Sequence, residues 1–142
     1  MIRSNSRPRK RTRDRKITAA YWEIWGGLPC EWGILVGESC RGEELNHILC
    51  GQRKEDAFWN LVMMCHRHHQ DQQVGFHGVN HREMRERILQ MKIDQGFVLP
   101  REAYAYLPEG IDGAPQAEAD EENNRQVLEG LADSAQQSSW DT

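Results

Sequence analysis

Apolar positions are sparse along this chain and confined mostly to one stretch, from Ile17 to Leu107. Their spacing predicts a series of short elements. "ITAAYWEIW" (17–25) suits one or two helical turns, stopped by Gly26-Gly27. Trp22, Trp25 and Trp32 are expected to pack in the core. "EELNHI" (43–48) reads as a short strand and "QRKEDAFW" (52–59) as a polar loop. "NLVMMC" (60–65) reads as a second short strand, although its alternation is weak. "HRHHQDQQ" (66–73) is compatible with helix as far as Gly75. Asn80 is a candidate N-cap for "HREMRERILQMKI" (81–93), where Met84, Ile88, Met91 and Ile93 form a partial apolar stripe. "LPREAYAYLP" (99–108) opens near a helix start at Pro100 and ends by Pro108.

This order predicts an α+β fold: two short strands and a helix, with flanking helices. Three regions follow. Residues 1–16 are expected to be a disordered arm, 17–107 the folded domain and 108–142 a mostly disordered tail. Within the tail, "EENNRQVLEGLADS" (121–134) suits only a marginal helix, formed on a partner.

Composition sharpens this picture. Only 38% of the 142 residues are hydrophobic, and the mean hydropathy is -0.80. A core drawn from roughly 90 residues sits near the lower edge of self-sufficiency, where a metal staple is common. No apolar run approaches the ~18 residues of a membrane span. No apolar segment follows the basic start, so a secretory signal is not expected. These features point to a cytoplasmic protein whose cysteines bind metal rather than form disulfides.

The net charge of -4 conceals a polarity between the ends. Residues 1–16 hold eight basic side chains against Asp14 alone. Residues 107–142 hold Arg125 against nine acids. The basic arm, with Arg7, Arg9, Lys10, Arg11, Arg13, Arg15 and Lys16, suits sequence-independent contact with nucleic-acid phosphates. The acidic tail suits a protein partner.

The four cysteines are Cys30, Cys40, Cys50 and Cys65. Cys65 and His68 form a C-x2-H pair with metal-ligand spacing. Cys30 supplies a further thiolate and Cys40 another, across a long "EWGILVGES" knuckle. Together they would close a tetrahedral zinc site. On spacing alone Cys50 competes with Cys40, and His69 competes with His68.

"ELNHI", "NLVMMC" and "HRHH" together resemble the HNH endonucleases, the ββα-metal nucleases, over roughly residues 30–77. The resemblance implies a general base at His47, a loop-orienting amide at Asn60, and a catalytic divalent ion held by Asn46 and His69. It implies structural zinc on Cys30, Cys40, Cys65 and His68, preferring Cys40 because the family's second cysteine precedes the His-bearing strand. Three departures stand out. Asn46 replaces a stronger ligand, His68 replaces a cysteine, and Gln73 occupies the position of a further helix histidine. His77 is a substitute for that last residue, while His66 and His81 are expected to face solvent.

The activity implied is hydrolysis of DNA phosphodiesters by a His-activated water, with Mg²⁺ or Mn²⁺ bound jointly with substrate. A homodimer would allow both strands to be cut. Small stand-alone members of the family are often encoded by bacteriophages. The alternative is a zinc-stapled nucleic-acid-binding protein without catalysis.

Overall fold

The computed structural model describes residues 13–51, 54–112, 114–115 and 118–138. Five α-helices, two short 3-10 helices and a two-stranded antiparallel sheet make up the regular structure among them. This mixed architecture agrees with the expected α+β class.

Helix α1 spans Arg15–Trp25. Asp14 caps it, its side chain accepting from the Lys16 amide at 3.0 Å. Part of the segment expected to be a disordered arm is therefore the first helical turn, because Asp14 satisfies an amide the helix leaves without an intrahelical partner. Ala20, Tyr21 and Trp25 are buried, with Ile17 and Ile24 packed beside them. Trp22 lies off this stripe and is 43% exposed, against the expectation that it joins the core. Its ring folds over the end of the helix. A Cβ on Gly26 would meet the Trp22 ring at 2.9 Å and the Trp22 carbonyl at 2.6 Å.

Helix α2 (Glu31–Val36) occupies the long segment between Cys30 and Cys40 and ends at Gly37, which has φ +80°. Strand β1 (Glu44–His47) pairs with β2 (Leu61–Met64), from Glu44 opposite Met64 to His47 opposite Leu61. All four β2 residues are fully buried. A strand covered on both faces has no polar side, which explains its weak alternation. Each such side chain stabilises the fold by about 1.5–3 kcal/mol. Helix α3 (His66–Gln70) follows β2 directly, so the chain runs β1, β2, α3.

Helix α4 (His81–Gln95) buries Met84, Ile88, Leu89, Met91 and Lys92. Lys92 takes the place expected of Ile93. Its Nζ lies 2.8 Å from the Tyr21 hydroxyl and 3.6 Å from Glu31 Oε1. Tyr21 donates to Glu31 Oε2, which also accepts from the Met63 amide at 2.7 Å. Burial pushes the Lys92 ammonium down and the Tyr21 phenol up. This buried triad ties α1 and α4 to α2, the helix that Cys30 caps. Removing one member would leave an uncompensated polar group in the core.

A 3-10 turn over Arg101–Tyr106 leads away from Pro100. Helix α5 then runs over Glu121–Ser138. Its stripe of Asn124, Leu128, Ala132 and Ala135 is buried. Asn124 accepts from the Val98 amide at 2.7 Å and donates to its carbonyl at 3.0 Å. Glu121 accepts from the Phe58 amide at 2.9 Å. This segment is thus a docked helix rather than part of a mostly disordered tail. Its stripe is modest in size, but the chain itself supplies the surface that covers it.

Among the described residues, no helix is long and apolar enough to cross a membrane.

Candidate metal centre and basic cleft

Two chain reversals bring the metal-ligating residues together. Cys30 is the N-cap of α2, and its amide donates to the Cys40 carbonyl at 2.7 Å. A bridge between Pro29 and Arg41 closes this first knuckle. Cys65 is the N-cap of α3, which carries His68 in its first turn. The ligand atoms of Cys30, Cys40, Cys65 and His68 all lie within 4.8 Å of one another. Nδ1 of His68 is 3.6, 3.4 and 3.3 Å from the three sulfurs in that order.

A tetrahedral ion with Zn–S of ~2.3 Å and Zn–N of ~2.0 Å places sulfur and nitrogen about 3.5 Å apart. The observed distances fit that geometry, and the group can hold a metal ion. The amides of Gly33 and His68 donate to the Cys30 and Cys65 sulfurs, each at 3.4 Å, which favours thiolates. Burial, reinforced by the neighbouring thiols, pushes the Cys40 thiol up, and burial also raises Cys30. A cation would offset that cost.

Gly33 leaves room for this packing. A Cβ there would stand 2.7 Å from both Cys40 Sγ and the Glu38 carbonyl. Glu38 Oε1 accepts from His68 Nε2 at 3.0 Å and from Arg67 at 2.6 Å. A carboxylate only accepts, so Nε2 carries the proton and Nδ1 offers its lone pair to the sulfurs' common centre. Cys50 is exposed and bonds the His47 carbonyl through Sγ at 3.4 Å, away from the cluster.

A second group lies on the other residues of α3. Glu44 accepts from His69 Nδ1 through Oε1 and from His66 Nδ1 through Oε2, each at 2.7 Å. His66 is exposed, as expected. Nε2 of His69 faces Nε2 of His77 at 3.2 Å. Either one ring donates to the other or a cation takes both lone pairs. Burial, then the charges of His69, His81 and Lys54, push His77 down, which keeps its ring neutral. The bond to His66, together with that to His69, outweighs burial and holds Glu44 below its ordinary range.

Asn46 is buried and turns its amide nitrogen to Met64 Sδ at 3.5 Å. The contacts to the His69 imidazole thus come from His77, Glu44 and Gln70 rather than from Asn46. His81 is half-buried and bonds the Phe76 carbonyl at 2.7 Å, instead of facing solvent freely.

His47 ends β1 one residue further on, with the opposite side-chain direction that strand alternation imposes. Its Nε2 lies 2.7 Å from Asp56 Oδ1. Together with Arg13, Arg15, Thr18 and Lys54 these two residues line a cleft of about 380 Å³. Burial pushes the His47 imidazolium down, and Lys54 and Arg13 push the same way. The Asp56 bond opposes them without prevailing. Burial alone would raise Asp56, but His47, the Asp14 amide and Arg13 hold it below its ordinary range. The charge of Lys54 acts on both His47 and His77.

Asn60 staples the connection between the strands. It accepts from the Leu49 amide at 2.8 Å and donates to the carbonyls of Leu49 and Glu55 at 3.3 and 3.0 Å. Of the basic arm, Arg7, Arg9, Lys10 and Arg11 lie outside the described residues, and Lys16 is exposed on α1. Spacing arguments overlooked Glu38, Glu44, Lys54 and Asp56. The one available signal was Glu44, two residues before Asn46 and hence on the same strand face.

Compared with protein-family models, curated proteins and solved structures, the chain matches none of them.

Proposed function

We propose that this chain is a metal-dependent endonuclease of the HNH type, acting on DNA phosphodiesters. The observation that carries this reading is His47, held by Asp56 in a cleft whose remaining charged walls, among the described residues, are Arg13, Arg15 and Lys54. Three cations around one neutral imidazole suit an anionic substrate and a proton acceptor in the same place.

In this reading His47 takes a proton from water as the water oxygen bonds to phosphorus. The bond from phosphorus to the leaving sugar oxygen breaks, and that oxygen ends protonated. Arg13, Arg15 and Lys54 neutralise the phosphate, and Asn60 keeps the loop carrying Lys54 and Asp56 in register. His69 and His77 would hold a divalent ion, with Glu44 orienting His69; that ion supplies Lewis-acid stabilisation of the developing charge. The Cys30, Cys40, Cys65 and His68 cluster would hold structural zinc, joining the first knuckle to α3 in a small core.

The second reading is a zinc-stapled nucleic-acid binder without catalysis. The Met64 contact of Asn46 favours it, since it leaves the second ion site with two imidazoles and without the amide ligand expected from Asn46.

Nicking of supercoiled plasmid, with and without Mg²⁺ or Mn²⁺, separates the two. The nuclease reading expects open circles that require both the ion and His47. A folded, zinc-loaded protein that binds DNA in every divalent metal without nicking it supports the second.

A further inference from the structure

The Asp56 carboxylate has two partners that lie far apart in the chain. Oδ1 bonds His47 Nε2 at 2.7 Å, and Oδ2 accepts from the Asp14 amide at 2.7 Å. Asp14 is the residue that caps α1, and Arg13 and Arg15 flank it. One side chain therefore touches the proposed base and also fixes the backbone that carries two of the cleft's cations.

A carboxylate has no proton to give in this pairing. The imidazole must donate, so the neutral His47 ring carries its proton on Nε2 and leaves Nδ1 as the acceptor. The charged and titratable groups around the ring are Arg13 and Arg15 from the start of α1, Lys54 and Asp56 from the loop, and Cys50 beyond the strand end. Among the described residues lining the cleft, Asp56 is the only acid, so none of the others can supply a carboxylate acceptor.

We propose that Asp56 is a positioning residue for His47: it selects the ring form with Nδ1 free to take a proton, and its second oxygen latches the start of α1 so that Arg13 and Arg15 wall the same cleft. This inference rests on the nuclease reading for its purpose, though not for its geometry.

The isosteric Asp56→Asn variant tests it. The substituted amide has one acceptor where the carboxylate has two. With its oxygen kept on the Asp14 amide, its NH2 group faces His47 and turns Nε2 into an acceptor. The ring proton then moves to Nδ1, and the base is lost while the shape is kept. Ring-nitrogen NMR of the labelled, zinc-loaded full chain reads this directly. The expected wild-type spectrum shows the Nε2–H form, and the variant shows the Nδ1–H form or a mixture.

In plasmid nicking, Asp56→Asn should lose on the order of a hundredfold in kcat, the scale of general-base catalysis. KM should change little. Added to His47→Ala, the substitution should cost nothing further, since it acts only through that ring. Asp56→Ala, with its melting curve recorded, serves as the second variant should the asparagine protein fold poorly. A wild-type ring in the Nδ1–H form, or an Asp56→Asn protein that nicks at the wild-type kcat, overturns the positioning role and leaves the nuclease reading intact. A wild type that nicks under no condition overturns the nuclease reading, and with it the catalytic purpose, whichever ring form is observed.

Discussion

Nε2 of His68 lies 3.0 Å from Oε1 of Glu38, on the far side of a ring whose Nδ1 faces three cysteine sulfurs. The carboxylate orients the ring and sets its proton. Glu38→Ala should therefore lower zinc affinity on the order of 10- to 100-fold, the usual scale for a residue behind a metal ligand. Competition with a chromophoric chelator measures it. An unchanged affinity would assign Glu38 to the Arg67 ion pair alone.

Gly33→Ala should damage the same centre by shape. The added methyl carbon would stand 2.7 Å from Cys40 Sγ, closer than such atoms come without displacement. The protein should be isolated with less zinc and melt at lower temperature, whereas Cys50→Ser should match wild type in both. Zinc content by elemental analysis and thermal scans of the three proteins decide the matter. Full zinc occupancy in the alanine variant would show that the knuckle yields easily.

Helix α5 should contribute to global stability. Leu128 is fully buried, so Leu128→Ala should cost about 2–5 kcal/mol through reduced apolar burial and the cavity left behind. Urea unfolding of the full chain measures this. A cost near zero would mean that the helix is not docked in solution.

On the proposed nuclease reading, the pH dependence of nicking should carry the mark of His47. The ring works as a base only when neutral, and burial with Lys54 and Arg13 holds its pKa below the ordinary 6.5. Activity should fall in acid as the ring takes a proton, at a lower pH than an ordinary imidazole would set. Lys54→Ala removes a cation that disfavours that proton, so the fall should move to higher pH. Nicking rates across the acid range test the direction, and a shift to lower pH would contradict it.

Arg13 and Arg15 should act through charge. Each phosphate left without its cation makes the slope of log affinity against log salt shallower by about 0.9, so the double alanine variant should be shallower by about 1.8. Affinity should fall alike for unrelated DNA sequences. Fluorescence anisotropy at several salt concentrations measures both, and an unchanged slope removes these arginines from the interface.

Some of the elements nearest the candidate metal centre were legible in the chain because local chemistry specifies them. Cys65-x2-His68 sits on one helical turn, and Gly26-Gly27 stops α1 without long-range help. The α+β order and the two strands followed from short apolar runs. Helix α2 was missed because a six-residue helix carries too few positions for a period to register. Lys92 was missed because a buried cation departs from any apolar stripe, and its main polar partners, Glu31 and Tyr21, are distant in sequence.

By itself the sequence determined what short-range spacing can encode: the candidate ligands, the strand and helix order, and the concentration of basic charge at one end. Only the tertiary structure decided which groups meet. It set Asp56 between His47 and Asp14, Glu44 and His77 against His69, Glu38 behind His68, and α5 over the core. The reason is physical. These contacts join segments separated by loops, and a pair so separated forms only where the packing of the whole chain offsets the entropy of bringing it together.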